Sequence, residues 1–301
     1  MVKIDKKVYI ILVNYNGSVD TIECIESLKV IEHSNYEIVV VDNNSTDENK
    51  KLLERYSNIA KIIFLDDNLG FSGANNKGIE EALKNNADYI LLLNNDTIVE
   101  KDFLNVLVET ATANNNKCAV TGKINYYYSK DKIWYGGGEI SKWKGNAYHL
   151  NENRSSDEYG NEFSEVTFIT GCMILIPIGV IKNIGLMSED YFLYFEDVDF
   201  SQKILNGGFK LYYDPKSVIY HKVSASTGTV SNLFLYYYCR NRLIFIKNNL
   251  GFINRLSAYV VFSLARIKNI ISKKENKDIV KEGVMDFLKN KKGKKFFKQD
   301  M

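Results

Sequence analysis

Residues 8–17 read VYIILVNYNG, an apolar and largely β-branched run that stops abruptly at a polar cluster. Three runs downstream repeat this pattern: EIVVVDNN at residues 37–44, IAKIIFLDDN at residues 59–68 and YILLLNND at residues 89–96. Short, nearly continuous apolar runs are typical of strands buried on both faces of a parallel sheet. We therefore predict strands over residues 8–13, 37–41, 59–65 and 89–93.

The segments between these runs have helical spacing. Ile22, Ile25 and Leu28 fall on one face of the first segment, and Ser45 followed by Glu48 predicts a capping box for the second. A third helix is predicted from the glycine-rich turn near residue 70 to about residue 83. Strands that alternate with helices indicate an α/β fold with a doubly wound, mostly parallel sheet. Ligands of such sheets bind beyond the carboxyl ends of the strands, where all four polar clusters lie.

The second half of the chain is less regular. We expect one buried strand over residues 166–176, interrupted by Gly171, and a helix within FLYFEDVDFSQKILNGG at residues 192–208. Short strands at residues 209–213 and 217–220 lead to His221. The organisation predicted is a catalytic domain over residues 1–225 and a helical, basic extension over residues 226–301. Within the domain, we expect one half to about residue 120 and a second half from 121.

The charge is distributed unevenly. The net charge is +2, but residues 240–301 hold 16 lysines and arginines against 5 acidic residues. Such a basic end favours an anionic partner, either a phospholipid surface or a diphosphate-linked acceptor. No aromatic–basic recognition motif of the RNA-binding kind accompanies it, so nucleic acid is not an expected partner.

Membrane contact is predicted to be peripheral. The longest uncharged apolar stretch near the carboxyl terminus, residues 256–265, is too short to span a bilayer, and the first apolar run lacks the features of a signal peptide. We expect a cytoplasmic protein at the inner face of the cell membrane, with residues 236–238, a run of three tyrosines, at headgroup level. Alternatively, these aromatic residues close the acceptor cleft or form a homodimer contact.

Candidate metal ligands follow two strands. Asp96 ends the fourth polar cluster, and a carboxylate there can hold a hard divalent cation that in turn holds a diphosphate. Its competing role is the N-cap of a helix that begins near Glu100. His221, one of three histidines, ends a strand and can coordinate a divalent metal, although a lone histidine is more often structural.

Other side chains suit the remaining chemistry. The Asn43 amide could hydrogen-bond a pyrimidine base, and the Asp42 carboxylate could bind ribose hydroxyls. The turn at residues 68–73 precedes a helix whose N–H groups could face a phosphate. Glu196 and Asp197 lie close enough in sequence to raise each other's pKa, which suits a general base, although the same carboxylates would also stabilise a helix dipole. An arginine guanidinium in the segment at residues 236–249 could bind a diphosphate or contact a lipid surface. It could also belong to an ordinary basic face of a helix.

Seven motifs in fixed order resemble a known family. They are VNYNG, VVDNNSTD, NLGFSGANNKG, LLLNNDT, TGCMILIP, FLYFEDVDF and IYHKVSAST, and together with the sequence around them they cover about residues 7–250. The chain resembles inverting glycosyltransferases of family 2, above all the branch of bacterial rhamnosyltransferases and galactofuranosyltransferases. The resemblance implies a GT-A fold, a nucleotide-diphosphate sugar donor and Mg²⁺ or Mn²⁺. It also implies that the half to about residue 120 binds the nucleotide sugar and that the half from 121 binds the acceptor.

The resemblance also implies site residues. Asp197 matches the catalytic base, Asn94 and Asp96 match the ends of the metal-binding triplet, and His221 matches a histidine that completes the metal shell. Because asparagines replace two aspartates of the triplet, we expect weaker metal binding. The expected nucleotide-binding residues are Asn14, Asn16, Asp42, Asn43, Asn68, Gly70, Asn76 and Asn95. The expected acceptor or diphosphate contacts are Glu196, Trp134, Arg240 and Arg242.

The mechanism implied is a single displacement. The Asp197 carboxylate takes a proton from an acceptor hydroxyl, which attacks the anomeric carbon opposite the nucleotide and inverts its configuration. We expect a saccharide or polyprenyl-diphosphate-linked acceptor in cell-surface polysaccharide synthesis and L-rhamnose from dTDP-rhamnose as the sugar. A UDP-hexose, UDP-N-acetylglucosamine or UDP-galactofuranose is the alternative donor.

Two other classes are weighed. A nucleotidyltransferase should carry a basic, glycine-rich loop after its first strand, and NYNGSVD at residues 14–20 contains no basic residue. A non-catalytic protein that binds sugar nucleotides should lack the base or the metal carboxylate, and Asp197 and Asp96 are both present. The sequence therefore favours an enzyme, a hexosyltransferase.

Overall fold

A computed structural model describes residues 6–223 and 231–295. The strands are β1 (Val8–Asn14), β2 (Tyr36–Asp42), β3 (Ala60–Phe64), β4 (Tyr89–Asn94), β5 (Thr97–Val99), β6 (Cys118–Tyr126), β7 (Ser129–Tyr135), β8 (Gly138–Ser141), β9 (Asn146–His149), β10 (Ser164–Val166), β11 (Met173–Pro177) and β12 (Lys210–His221). The helices are α1 (Ser18–Leu28), α2 (Asp47–Glu54), α3 (Gly70–Lys84), α4 (Phe103–Ala113), α5 (Ile178–Ile184), α6 (Glu196–Asn206), α7 (Asn232–Asn249), α8 (Phe252–Ile271) and α9 (Lys277–Leu288).

One large sheet organises the molecule. Its strand order is β10-β12-β6-β11-β4-β1-β2-β3, with β5 and β7 paired at the side. The first four strands are parallel, and β11 runs antiparallel between β4 and β6. Because helices cover both faces, β1 and β4 are buried along almost their whole length. The predicted α/β class, the first four strands and the helical carboxyl-terminal region are confirmed.

Three local predictions are wrong. Residues 166–176 belong to two strands instead of one. The first, β10, pairs with β12, and the chain then crosses the sheet so that the second, β11, pairs with β4. The two short strands before His221 are one strand, β12, with a register shift between Asp214 and Val218. The capping box at Ser45 is absent, since Thr46 is the N-cap of α2 and the Ser45 hydroxyl accepts the Asn16 backbone N–H at 2.8 Å.

The expected domain boundaries remain predictions. The division at residue 120 falls inside β6, so the two expected halves share one sheet. The boundary between residues 225 and 226 lies outside the described residues. Within the described ranges, no helix combines the length and the apolar character needed to cross a bilayer.

Two of the three consecutive tyrosines of α7 are buried, and Tyr238 is half-buried. Tyr236 and Tyr237 are each 1% exposed, and the Tyr236 hydroxyl donates to Asp286 of α9 at 2.8 Å. Helix α7 is therefore an internal helix, packed between α6 and α9. The expectation that this run lies at lipid headgroup level is wrong, because the helices that follow α7 cover it.

Candidate active site

One tight turn links the predicted base to the predicted metal triplet. The Gly171 backbone N–H donates to Asp197 Oδ2 at 3.0 Å, and the Asn94 backbone N–H donates to the carbonyl of Cys172 at 2.9 Å. The acidic start of α6 and the end of β4 are thus attached to consecutive residues of the turn before β11. Residues about 100 positions apart in sequence therefore face the same side of the sheet.

Asp96 and His221 face each other across a short gap. Asp96 Oδ1 lies 3.1 Å from His221 Nε2, and the Asn94 amide nitrogen lies 3.5 Å from the same atom. The pairing of β5 with β12 sets this distance, because it places His221 opposite Thr97. Asp96 is not a helix cap, since α4 begins only at Phe103, so its competing role is excluded.

These residues fit a divalent cation. Asp96 Oδ1 is a buried oxygen that accepts no hydrogen bond from the described residues, as is common for an atom reserved for a ligand. A carboxylate, an imidazole and an amide, whose oxygen and nitrogen can be exchanged by a flip, are all usable donors. Among the described residues, no group of three histidine, cysteine or acidic side chains could hold a metal by itself. Phosphate oxygens and water would have to complete the shell, as is usual for Mg²⁺.

Trp134 and His149 complete this wall of the site. The Trp134 ring meets the His221 and His149 rings edge to face, with centroids 4.5 and 4.6 Å away. The His149 Nδ1 atom lies 3.0 Å from the Trp134 carbonyl oxygen, and burial lowers the pKa of His149. The tryptophan therefore fixes the orientation of the His221 ring, and a direct contact with an acceptor stays a prediction.

The Glu196–Asp197 pair has unusual electrostatics. Glu196 is almost fully buried, and burial followed by the charge of Asp197 raises its pKa to about 8. Burial also raises the pKa of Asp197, although the Gly171 and Val198 N–H groups oppose that shift by donating to its carboxylate. Two neighbouring carboxyls with raised pKa values form the arrangement expected of a general base near neutral pH.

The pKa of Glu196 predicts a pH-dependent stability. A free glutamate ionises near 4.5, so between about pH 4.5 and 8 the folded chain holds a proton that the unfolded chain has lost. The free energy of unfolding therefore falls as pH rises through that window. We expect Glu196→Gln to match wild type near pH 4.5 and to be more stable at pH 8.5, by on the order of a few kcal/mol.

Urea denaturation at the two pH values measures this difference. Glu109→Gln, which changes an exposed glutamate of α4, is the matched control and should change neither midpoint. A Glu196→Gln variant that gains no stability at pH 8.5 would mean that Glu196 ionises without cost in the folded protein.

A strained turn presents this acidic pair. Tyr194 and Phe195, directly before Glu196, have φ angles of 67° and 74°. Left-handed backbone at non-glycine residues costs about 1–3 kcal/mol each and persists only where surrounding contacts hold it. Those contacts come from Asn241 of α7, whose amide donates to the carbonyls of Leu193 and Tyr194, each at 2.9 Å.

Arg240 fixes the orientation of that amide. Its Nε donates to Asn241 Oδ1 at 3.0 Å, so the amide nitrogen must face the two carbonyls. The guanidinium itself is fully buried between the rings of Tyr236 and Tyr237. Asn241 was not among the predicted site residues. Its one sequence signal is an asparagine, a poor helix former, between two arginines in the middle of a helix.

Asn241→Ala is expected to reduce turnover more than donor binding. The substitution leaves two partly buried carbonyls without their donor, which costs up to about 1–3 kcal/mol, and releases the turn that positions Asp197. We expect kcat to fall by roughly tenfold or more, with little change in the KM for the donor. Steady-state kinetics well below the melting temperature measure the two constants separately. Asn232→Ala, an exposed asparagine of the same helix, should leave both constants unchanged, and equal kinetics for both variants would contradict the assignment.

Asn14 and Asp42 form a buried network instead of an open nucleotide contact. Both are 0% exposed, and the Asn14 amide donates to Asp42 Oδ2 at 2.7 Å. The other oxygen of Asp42 accepts the Ser45 backbone N–H, and Asn14 Oδ1 accepts the Thr21 hydroxyl. The expectation of direct ribose or base contact by these two residues is not supported, because their polar atoms are used in holding the loops after β1 and β2.

Asn43 attaches the end of β2 to the glycine-rich turn. Its amide donates to Asn68 Oδ1 and to the Gly70 carbonyl, and its oxygen accepts the Leu69 N–H. Gly70 has a φ of 74°, and a Cβ there would lie 2.2 Å from the Phe192 carbonyl oxygen, so only glycine fits. The turn predicted to bind the nucleotide is thus packed directly against the loop that precedes the acidic pair.

The other predicted nucleotide contacts divide into two groups. Asn76 is buried and bonds both backbone groups of Met187, so it stabilises the loop before α6 and a direct contact is not supported. Asn16 and Asn95 lie at the strand ends with accessible surface. The Asn16 side-chain oxygen, Oδ1, accepts the Thr46 backbone N–H, and the Asn95 amide donates to the Thr21 hydroxyl. Both remain candidates for contact with the donor.

Arg242 is a structural residue. Its guanidinium is 4% exposed and donates to the carbonyls of Lys144 and Gly145 and to the Tyr238 hydroxyl. All of these partners are protein atoms, so contact with a lipid surface or a diphosphate is not supported. The buried position of Arg240 leads to the same correction for that residue.

An acidic pair and a candidate cation site at the strand ends suit a metal-assisted transferase, and comparison with known proteins identifies the family. The family model for glycosyl transferase family 2 matches residues 9–185, more than half of the chain. The chain belongs to this family, its fold is of the GT-A class, and it is an enzyme that uses nucleotide sugars.

Relatives of known activity cover the chain to different extents. A dTDP-rhamnosyl transferase, RfbF of Shigella flexneri, is 25% identical over 284 residues, 91% of each chain. The poly-β-1,6-N-acetyl-D-glucosamine synthase of Staphylococcus aureus is 26% identical over 221 residues, and the match spans about half of that longer protein.

Solved structures share the fold. A mannosyltransferase of Pyrobaculum calidifontis, in complex with GDP-mannose and Mn²⁺, superposes with a TM-score of 0.61 at 14% identity, over 95% of this chain and 88% of that one. Residues 1–349 of Staphylococcus aureus TarS with UDP give a TM-score of 0.61 at 18% identity, over 94% and 80% of the two chains.

Proposed function

We propose that this glycosyltransferase moves L-rhamnose from dTDP-L-rhamnose to a saccharide or polyprenyl-diphosphate-linked acceptor during synthesis of a cell-surface polysaccharide. The similarity to a dTDP-rhamnosyl transferase over nearly the whole of both chains supports this donor. A UDP-hexose, UDP-N-acetylglucosamine or UDP-galactofuranose is the second choice. A relative that makes a polymer of N-acetylglucosamine supports it.

The chemistry is a direct displacement with Asp197 as the base. Its carboxylate accepts the proton of an acceptor hydroxyl while the oxygen forms a bond to the anomeric carbon. The bond from that carbon to the nucleotide diphosphate breaks, and the diphosphate leaves with the electron pair. Because no protein nucleophile intervenes, the configuration inverts. The supporting observation is the attachment of Asp197 and Asn94 to the consecutive residues 171 and 172.

Asn94, Asp96 and His221 are the residues that would hold Mg²⁺ or Mn²⁺. A divalent cation bound there supplies positive charge to the diphosphate as it departs. Asp96 and His221 carry the protein's share of the coordination, and we propose that the donor's phosphate oxygens supply the remainder. The buried Asp96 oxygen, which lies beside His221 and accepts no hydrogen bond from the described residues, supports this assignment.

We further propose that the donor lies over the carboxyl ends of β1, β2 and β4. Asn16, Asn43, Asn68, Gly70 and Asn95 line the loops in this region. The acceptor then enters beside Trp134 and Glu196, and the enzyme works peripherally at the inner face of the cell membrane.

A panel of nucleotide sugars tests the proposed function. Each donor is incubated with Mn²⁺ and with extracts that contain candidate acceptors, and release of nucleoside diphosphate is measured. We expect dTDP-L-rhamnose to be turned over fastest. Fastest turnover of a UDP-sugar would select the second choice, and absence of binding and turnover for every donor would contradict both.

A further inference from the structure

Helix α8 carries an exposed apolar stripe. Seven large apolar side chains are between 51% and 82% exposed: Phe252, Ile253, Leu256, Val260, Leu264, Ile267 and Ile271. At about 100° per residue they fall within roughly one third of the helix circumference, over about 30 Å. The opposite side of α8 packs inward through Ala258 and Phe262. A contiguous apolar surface of this size marks an interaction site.

A second element lies beside the beginning of this stripe. The hairpin of β8 and β9 turns through Lys142, Trp143 and Lys144, all exposed, with Trp143 at 55%. The Ser257 hydroxyl of α8 donates to the Trp143 carbonyl at 3.1 Å, and Arg242 donates to the Lys144 carbonyl at 2.7 Å. These two hydrogen bonds hold the backbone of the tip against α8. The Trp143 side chain is therefore exposed on an anchored segment.

An apolar groove continues the surface on the other side. It has a volume of about 770 Å³ and lies between α7, α8 and α9. Ile267 belongs to both the stripe and the groove, and Met285 and Leu288 of α9 form an exposed rim. The apolar surface thus extends from the hairpin tip along α8 to the end of α9.

The charges around this apolar surface indicate which kind of partner it binds. From Phe252 to Lys294, nine lysines are exposed against two acidic residues, and two of these lysines, Lys291 and Lys292, form ion pairs with Asp286 and Asp190. The lysines are Lys268, Lys273, Lys274, Lys277, Lys281, Lys289, Lys291, Lys292 and Lys294. A second copy of the chain would bring like charges together across the same apolar face, whereas an anionic lipid surface would complement them. Tryptophan between lysines is also suited to the headgroup region.

We propose that the α8 stripe, the tip at residues 142–144 and the rim of α9 form one docking face for an anionic phospholipid bilayer. Helix α8 lies in the plane of the interface with its stripe among the upper acyl chains, and Trp143 sits at headgroup level. This inference rests on the proposed peripheral membrane association and adds the surface that carries it. The tyrosine run of α7, buried beneath this face, takes no part.

Vesicle co-sedimentation tests the docking face. The full chain is mixed with vesicles of phosphatidylcholine and phosphatidylglycerol, and with vesicles of phosphatidylcholine alone. We expect preference for the anionic vesicles, and a loss of partitioning of roughly tenfold for Leu264→Ser and again for Ile271→Ser. Trp143→Ser should weaken binding in the same way. Matched controls are Val30→Ser and Tyr128→Ser, which remove side chains that are 60% and 78% exposed.

The outcomes separate this inference from the catalytic proposal. Donor hydrolysis without vesicles should be equal in wild type and in all five variants, since none lies in the active site. Equal binding to neutral and anionic vesicles, or binding that the α8 variants retain, would overturn the docking face. A dimer in sedimentation velocity that Leu264→Ser dissociates, with no vesicle binding, would overturn it in favour of a second copy.

Discussion

Asp197→Asn is expected to lower kcat by about 10²–10⁴-fold, the usual contribution of a general base. The amide keeps the size of the carboxylate, and its oxygen can still accept the Gly171 N–H that holds the turn before β11. The Val198 N–H, which donates to the other carboxylate oxygen, loses its acceptor. It cannot take the proton of an acceptor hydroxyl. Donor affinity should remain close to that of wild type, because the base contacts the acceptor. Single-turnover kinetics and calorimetric titration of the donor measure the two quantities.

Asp199→Asn is the matched control for this prediction. Asp199 lies two residues away in α6, and burial raises its pKa as well. Its carboxylate accepts hydrogen bonds from the Tyr191 hydroxyl and from the Asn249 amide, which connects α6 to the end of α7. We expect this substitution to change stability more than kcat. If Asp199→Asn removed activity and Asp197→Asn did not, the assignment of the base would be wrong.

Asp96→Ala is expected to weaken Mn²⁺ binding by at least about tenfold and to lower transfer by about 10²-fold or more. Asp96 is the sole acid of the triplet Asn94-Asn95-Asp96, so its removal leaves an imidazole and an amide, which attract a hard cation weakly. Electron paramagnetic resonance of Mn²⁺, titrated with and without nucleoside diphosphate, measures binding independently of turnover.

The control for the metal prediction is Asp102→Asn, an exposed acid at the start of α4. It changes the net charge without changing the Asp96–His221 pair. We expect unchanged Mn²⁺ binding. Equal Mn²⁺ affinity in wild type and Asp96→Ala would exclude the proposed metal site, whatever the effect on activity.

The sequence predicted the parallel sheet because its strands carry their own signal. The runs that begin at Val8 and Tyr89 are apolar on both faces, and each ends in polar residues at the carboxyl end of its strand. Glu196 and Asp197 were recognisable because two adjacent acids follow an aromatic run. Their raised pKa values depend on burial, which a local pattern does not reveal.

Other assignments failed because they depend on tertiary contacts. Asn14, Asp42 and Asn76 lie in the motifs expected to bind the nucleotide, yet the fold uses their hydrogen bonds to hold loops together. Arg240 and Arg242 were expected to contact a diphosphate, the acceptor or a lipid surface, and the elements packed around α7 bury both. The lipid contact proposed above is accordingly on α8 and not on α7.

The anomeric configuration of the product tests the central claim most directly. Transfer from dTDP-L-rhamnose, or from whichever donor the panel selects, is run to completion, and the new linkage is assigned by nuclear magnetic resonance. A single displacement assisted by Asp197 predicts a configuration opposite to that of the donor. Retention of the donor configuration would require a different mechanism and would contradict the role assigned to Asp197.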